Sequence, residues 1–335
     1  LLSLFTTIEC NPFEDFNHWI NTYQIGFESE SHFYNTLHKW IDNDNYINTV
    51  NAEGRSYTLG HNQFSGMDSY DFQNYVHNTN LTISPKHIQE TNNTILPESV
   101  DWRLNNAVTP VKDQGQCGSC WAFSTTGSLE GIYAIQSGEL VSFSEQQLVD
   151  CDNLRNGGKD HGCNGGLMDN AFAWINENNG LCSEESYPYI SSDGQTEKCQ
   201  TLCDNLPYSQ IQSWVDVDSS DQALMSAVAM QPVSVAIEAD QKDFQLYKSG
   251  VLTSECGTTL DHGVLVIGYG SEGKDRIEGK DRIEGKDRIE DYYLVKNSWG
   301  TSWGDEGYIK LGRGPTYNDG QGQCGILLQA SYPVL

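Results

Sequence analysis

The chain has 335 residues, enough for one large domain with a smaller companion, which excludes a peptide hormone or a small toxin. Its 19 Lys and Arg face 46 Asp and Glu, a formal charge of −27, so the surface repels phosphate backbones and anionic membranes, and nucleic acid is excluded as a partner. Ten cysteines without zinc-finger spacing point to an oxidising compartment, and self-repulsion that eases as carboxylates protonate suits an acidic one.

Residues 1–12 begin with "LLSLFTT", the pattern of the apolar tail of a signal peptide, and no later stretch reaches membrane-spanning length. From 13 to 79 the sequence is polar with apolar residues at helical spacing, among them Trp40, Ile47 and Val50, and reads as a small helical unit. Residues 80–95 carry few large apolar side chains and, with "NLT" and "NNT", place glycosylation sequons at Asn80 and Asn92, which predicts an exposed linker. From Leu96 tryptophan, glycine and cysteine become dense, and a second domain is predicted over 96–335.

Within it Cys120 to Gln136 reads as a helix, with Ala122, Phe123, Leu129, Ile132 and Tyr133 roughly on one side and Gly138 as its stop. Later, "PVSVAIEA", "HGVLVIGYG" and "DYYLVKNSW" read as strands. Between the last two, over 272–290, the hexapeptide "EGKDRI" occurs three times; units this short and few cannot make a solenoid, and they predict an expanded surface loop.

The chemistry turns on "QGQCGSCWAF", where Cys117 and Cys120 stand three apart. A zinc site wants about four ligands, usually from two paired clusters, and no second C-x-x-C is present; a redox pair would follow a strand in a βαβ unit, and no such alternation surrounds it. A nucleophile wants a base. Only His161 and His262 lie in the cysteine-rich part, and His262 opens an apolar strand that would hold an imidazole rigidly, whereas His161 sits in "GGKDHGCNGG". Cys120 at the start of a helix would also have its thiolate favoured by the helix N-terminus.

The run Cys117-Gly118-Ser119-Cys120-Trp121 fits the C-G-[SA]-C-[WY] signature, and "LPESVDWR", "CNGGLMDNAF", "SYPY", "KNSWGTSWGDEGY" and "CGILLQASYPV" extend the likeness to nearly everything after Leu96. The chain resembles a cathepsin L-like proenzyme of the papain family of cysteine proteases. That resemblance implies an α+β, two-lobe fold, one lobe mainly helical and one a β-barrel-like sheet, with an active-site cleft between them and an inhibitory helical propeptide in front.

The resemblance further implies Cys120 as nucleophile, His262 as base and then acid, Asn297 as the residue orienting the imidazole, and Gln114 as an oxyanion donor. It implies substrate contacts from the backbone of Gly165 and Gly166 and from Asp261, and a second-subsite lining of Leu167, Met168, Ala236, Leu260 and Gln329 that favours an apolar side chain. Gln329 departs from the small residue common at the pocket base and predicts a broadened preference. Trp299 and Trp303 would shield the Asn297 to His262 hydrogen bond, Trp299 also bordering the leaving-group side.

Family bridges would pair Cys117 with Cys163, Cys151 with Cys199, and Cys256 with Cys324; Cys182 and Cys203 are then predicted as a fourth pair, and Cys10 is left alone. The interval from Cys120 to Asn297 exceeds the usual one of about 130 to 150 residues, and the repeat accounts for much of the excess. In the front unit Trp40, Asn43, Ile47 and Asn51 match the propeptide's helical motif, but His32 and Thr36 stand at its expected Glu and Arg positions, and Gly66 at an expected acid.

The implied partners are peptide and protein substrates and the chain's own propeptide. Neither cofactor nor metal is expected, the protein should act as a monomer, and its place is the secretory pathway, in a lysosome, a vacuole or outside the cell. A catalytically silent binding protein on the same frame is the competing reading; such relatives usually lose nucleophile, base or oxyanion donor, and here Cys120, His262 and Gln114 are all present.

Overall fold

The computed structural model describes residues 12–76, 95–200, 203–273 and 289–335. Cys10, both sequons and the body of the repeat lie outside the described residues, as do nearly all of the predicted signal-peptide and linker segments.

The front unit consists of α1 (Pro12–Tyr23), α2 (Glu30–Ala52), β1 (Tyr57–Leu59) and α3 (Ser69–Val76). Ser29 starts α2 by accepting the His32 N–H. The helix then buries Thr36, Trp40, Asn43, Ile47 and Val50, a spacing of three and four that makes one inward stripe. Two of its asparagines bind main chain: Asn43 Nδ2 donates to the Ser65 and Met67 carbonyls, and Asn51 exchanges hydrogen bonds with both backbone groups of Leu59.

Two of the three departures from the propeptide pattern, Thr36 and Gly66, meet each other. A Cβ on Gly66 would come 2.7 Å from Thr36 Cγ2 and 2.8 Å from the Trp19 ring, so an acidic side chain has no room there, and the long basic partner it would need is absent. Lys39 instead pairs with Asp68 and Asp71 at the head of α3.

After the front unit come β2 (Val100–Asp101), α4 (Cys120–Ser137), α5 (Glu145–Cys151), α6 (Met168–Glu177), β3 (Ser213–Asp216), α7 (Asp221–Val228), β4 (Val233–Ile237), α8 (Lys242–Gln245), β5 (Tyr247–Leu252), β6 (His262–Gly273), β7 (Ile289–Lys296), β8 (Tyr308–Gly312) and β9 (Ala330–Val334). Helix α4 ends where predicted, on Gly138 in the left-handed region at φ 79°. It is not one-sided, however: every residue from Cys120 to Ala134 is buried. Gly127 and Gly131 make that possible, since a Cβ would stand 2.8 Å from Leu265 and 2.5 Å from Pro232, so the helix lies directly against the sheet lobe.

The sheet runs in the order β1-β5-β8-β7-β6-β4-β9-β3, with β2 added on β6. Its first strand belongs to the front unit: Tyr57 and Thr58 pair antiparallel with Gly250 and Ser249, so the unit extends the sheet instead of resting on its surface. One apolar core therefore runs from Ile47, Val50 and Phe72 into Phe244, Val266 and Trp303, while a second, around Trp121, Phe143, Phe172 and Ile175, fills the helical lobe.

The long β6–β7 hairpin pairs as far as Gly273 with Ile289. At about 3.3 Å per residue Gly273 stands roughly 35 Å from His262 at the other end of β6. The expansion thus lengthens the sequence between Cys120 and Asn297.

Candidate active site

Cys120 is the first residue of α4, and Gly263, directly after His262, donates its backbone N–H to Cys120 Sγ at 3.3 Å. The helix N-terminus and this donor both favour negative charge on the sulfur. His262 begins β6, and its Nε2 lies 2.7 Å from Asn297 Oδ1. The Ser298 N–H also donates to that oxygen at 2.7 Å, which fixes the amide orientation and so makes Nε2 the protonated ring nitrogen. Nδ1 is then the basic nitrogen of the neutral ring.

Trp299 lies against the imidazole, ring centroids 4.6 Å apart and planes 25° from parallel. Trp303 stands edge-on to Trp299 at 5.1 Å and buttresses it. With His262 fully enclosed, burial pushes its pKa down to about 4 against the supporting effect of Asn297. In this closed state the imidazole is neutral.

Gln114 is held from both ends. Its Oε1 accepts the Ser298 hydroxyl at 2.7 Å, which turns Nε2 toward the start of α4, where one of its two hydrogens reaches the Cys117 carbonyl at 2.9 Å. The other hydrogen remains for an oxyanion beside Cys120. The loop itself is anchored by Lys112, which pairs with buried Glu130 on α4 and Glu145 on α5. Ser298 thus serves Gln114 and Asn297 together. Its only sequence signal is its place in "KNSWG", because the contact with Gln114 spans 184 residues.

Gly165 adopts φ 103°, and a Cβ on Gly166 would strike the Trp121 ring at 2.6 Å, so the second glycine is demanded from below as well as by any ligand above. Met168, Ala236 and Leu260 lie in one apolar cluster, and Leu167 leads into α6 beside them. Gln329 accepts the Ala236 N–H through its carbonyl, yet the residue is 5 % exposed and its buried side-chain amide has neither Oε1 nor Nε2 paired among the described residues. Asp261 accepts the Ala239 N–H, and burial pushes its carboxyl up to about 8. Cystines join Cys117 to Cys163, Cys151 to Cys199, Cys182 to Cys203, and Cys256 to Cys324; Cys120 takes part in none of them.

The front unit closes over this cluster through residues that the motif reading left aside. Gln63 Nε2 donates to the Trp299 carbonyl at 2.6 Å, and Tyr75 OH to the Gly115 carbonyl at 3.0 Å. Phe64, Phe72 and Tyr75 surround the Trp299 ring at centroid distances of 5.3, 5.7 and 6.0 Å.

The family model described as "Papain family cysteine protease" matches residues 96–334. The chain belongs to the papain family of cysteine proteases. It is 44% identical over 301 residues to the KDEL-tailed cysteine endopeptidase CEP2 of Arabidopsis thaliana, covering 86% of this chain and 77% of that one. Among solved structures it is similar to the proform of the ragweed pollen cysteine protease Amb a 11, with TM-score 0.82, 35% identity, and 97% and 94% of the two chains covered. It is likewise similar to digestive procathepsin L 3 of Tenebrio molitor, with TM-score 0.80, 35% identity, and 97% and 99% covered. Both alignments include the front unit. The fold is the papain-like proenzyme fold and the protein a cysteine protease of that family.

Proposed function

We propose that the chain is the zymogen of a cysteine endopeptidase in which residues 13–79 form the inhibitory propeptide, 80–95 its tail, and 96–335 the protease. His262 Nδ1 takes the proton of the Cys120 thiol, and the thiolate attacks the carbonyl carbon of the scissile peptide bond. The oxyanion is met by the Cys120 backbone N–H and by Gln114 Nε2–H. The imidazolium then protonates the leaving amine as the C–N bond breaks, and a thioester remains. Water, giving a proton to His262, attacks that thioester; the acid leaves, and Cys120 regains its proton.

The observation that carries this reading is the chain of contacts from Cys120 at the head of α4, through the Gly263 N–H, to a His262 ring held by Asn297. Gly165 and Gly166 offer backbone to an extended peptide, and the apolar walls of Met168, Ala236 and Leu260 favour an apolar side chain two residues before the cleaved bond. Trp299 borders the leaving-group side. Four cystines, and the sequons at Asn80 and Asn92, support passage through the secretory pathway to a vacuole, a lysosome or the exterior. Removal of the propeptide in acid exposes the cleft.

An acid-activation time course tests the reading, following chain length on a gel while assaying a Phe-Arg fluorogenic peptide. Wild type should shorten near Leu96 and gain activity, and Cys120→Ala should do neither. A wild type that sheds its front unit yet stays silent would sink the proposal.

A further inference from the structure

Beneath the Gly165–Gly166 turn lie two carboxyl groups that the reaction does not use. Asp152, at the end of α5, and Asp160, in the loop before α6, are 0 % and 1 % exposed. Asp160 Oδ1 accepts the Leu167 N–H at 3.0 Å and Asn170 Nδ2 at 2.9 Å; Asp152 Oδ1 accepts the Lys159 N–H at 3.1 Å. The Oδ2 atom of each receives no donor among the described residues. The backbone bridge between Asn153 and Asp160 sets the two segments side by side, and the two carboxyls lie near enough for each to act on the other's charge.

Ionised carboxylates carry no hydrogen, so such closeness is repulsive unless one of the pair holds a proton. The surroundings favour keeping it. Lys159 and His161, both in the same loop, are the charged or titratable neighbours acting on the pair; α4 presents the Trp121 ring and α6 the uncharged Asn170. Burial first, and for Asp152 the adjacent Asp160 charge, hold both groups above the ordinary carboxylate range.

The pair is tied directly to the substrate side of the loop. A Cβ on Gly166 would come 2.8 Å from Asp160 Cγ, Asp160 grips the N–H of Leu167, and the His161 N–H donates to the Gly165 carbonyl. Asn153, next to Asp152, bridges to Asp160 and His161 through its backbone. Whatever spacing the two carboxyls take is therefore passed to the glycine turn.

We propose that Asp152 and Asp160 share one proton and act as positioning residues for substrate, the shared proton holding the Gly165–Leu167 turn at the height an extended peptide requires. Loss of the proton to solvent leaves like charges close together, the carboxylates separate, and the turn loosens. The inference rests on the reading of Gly165 and Gly166 as peptide-binding backbone.

The test uses mature enzyme released from the full-length zymogen, with kcat and KM for a Phe-Arg peptide measured from about pH 5 to about pH 9. Wild-type KM should rise several-fold toward the alkaline end. In Asp152→Asn, whose amide donates to Asp160 without needing a proton, that rise should disappear. Asp160→Ala, which strands the Leu167 N–H, should raise KM about tenfold at every pH, with Asp160→Asn restoring much of the loss. A flat wild-type KM, or a KM profile in Asp152→Asn that superimposes on wild type, overturns the proposal. Asp152→Asn is close to isosteric, so the decision does not hang on whether the alanine variant folds. Alkylation of Cys120 by a thiol-directed epoxide checks the underlying protease reading separately.

Discussion

Ser298 shows how a residue without catalytic chemistry of its own would govern two to which the proposed mechanism gives a role. Its hydroxyl holds Gln114 Oε1 and its N–H holds Asn297 Oδ1, so it sets the proposed oxyanion donor and the imidazole in one frame. Ser298→Ala frees the Gln114 amide to rotate, and since that amide matters most when negative charge develops, the loss should fall on kcat with little change in KM. Removal of an oxyanion donor outright costs a factor of about 100 to 1,000, and freeing it should cost less, about tenfold; steady-state kinetics on the mature form checks this. Gln329 is the converse case, a buried amide with unpaired ends that costs about 1–3 kcal/mol unless a ligand supplies partners. Gln329→Leu should therefore raise the melting temperature while lowering turnover of substrates with Arg, relative to Phe, in the second subsite. An unchanged ratio would remove Gln329 from the specificity argument.

At the level of elements, the front unit is held by β1 on β5 and by a knot of polar groups around Asp243 at α8. Tyr46 OH and Tyr57 OH donate to its carboxylate at 2.7 and 2.5 Å, and Arg55 reaches it at 3.3 Å. Asp243→Ala leaves those donors without their acceptor, at a cost of about 1–3 kcal/mol for each one left buried. Proteolytic processing should accelerate at any given pH, measured by gel, whereas the kcat/KM of the released enzyme should stay near wild type. The aromatic clasp is the second hold. Each ring on Trp299 adds about 0.5–1.5 kcal/mol beyond its buried area, so Phe64→Ala should let measurable activity escape from the unprocessed chain at neutral pH. The helical motif of α2 was readable in the sequence, because Trp40, Asn43, Ile47 and Asn51 keep helical spacing. What that stripe packs against was not readable, since Gln63, Phe64 and Tyr75 become a lid only when they meet Trp299, more than two hundred positions away.

For the whole molecule, the proposed opening in acid would follow from two enclosed histidines. His262 and His61 both sit below the ordinary 6.5 because burial disfavours the charged ring. His61 is stacked on Trp40 at 4.4 Å, bonded to Asp44 through Nε2 and without a partner at Nδ1; Asp44 and Asp15 favour its charge, and Lys248 on β5 opposes it. Release that also loosens the front unit's own packing, in which Trp40 and Asp44 hold His61, lets both rings return toward 6.5, so the open state binds more protons below that value. Docking is then fully stable above about pH 6.5 and weakens as pH falls from there toward the depressed values. Processing rates should climb over that window, and His61→Phe, which keeps a ring on Trp40 but cannot take a proton, should shift the climb to lower pH. Coincident curves for the two proteins would take His61 out of the trigger.

The sequence by itself determined the chemistry and its local supports: a cysteine at a helix start, a histidine opening a strand, the glycine stop at Gly138, and a repeat too short to fold alone. These are legible because they depend on neighbours within a turn or two, through periodicity, helix ends and the small set of side chains able to do the work. Only the tertiary structure decided that Gln114 leans on Ser298, that α4 is buried on every side, that Thr36 and Gly66 share one confined contact, and that Asp152 faces Asp160. Each of those depends on which side chains the packing of the lobes and the front unit brings within a few ångströms, and distance along the chain carries no record of that.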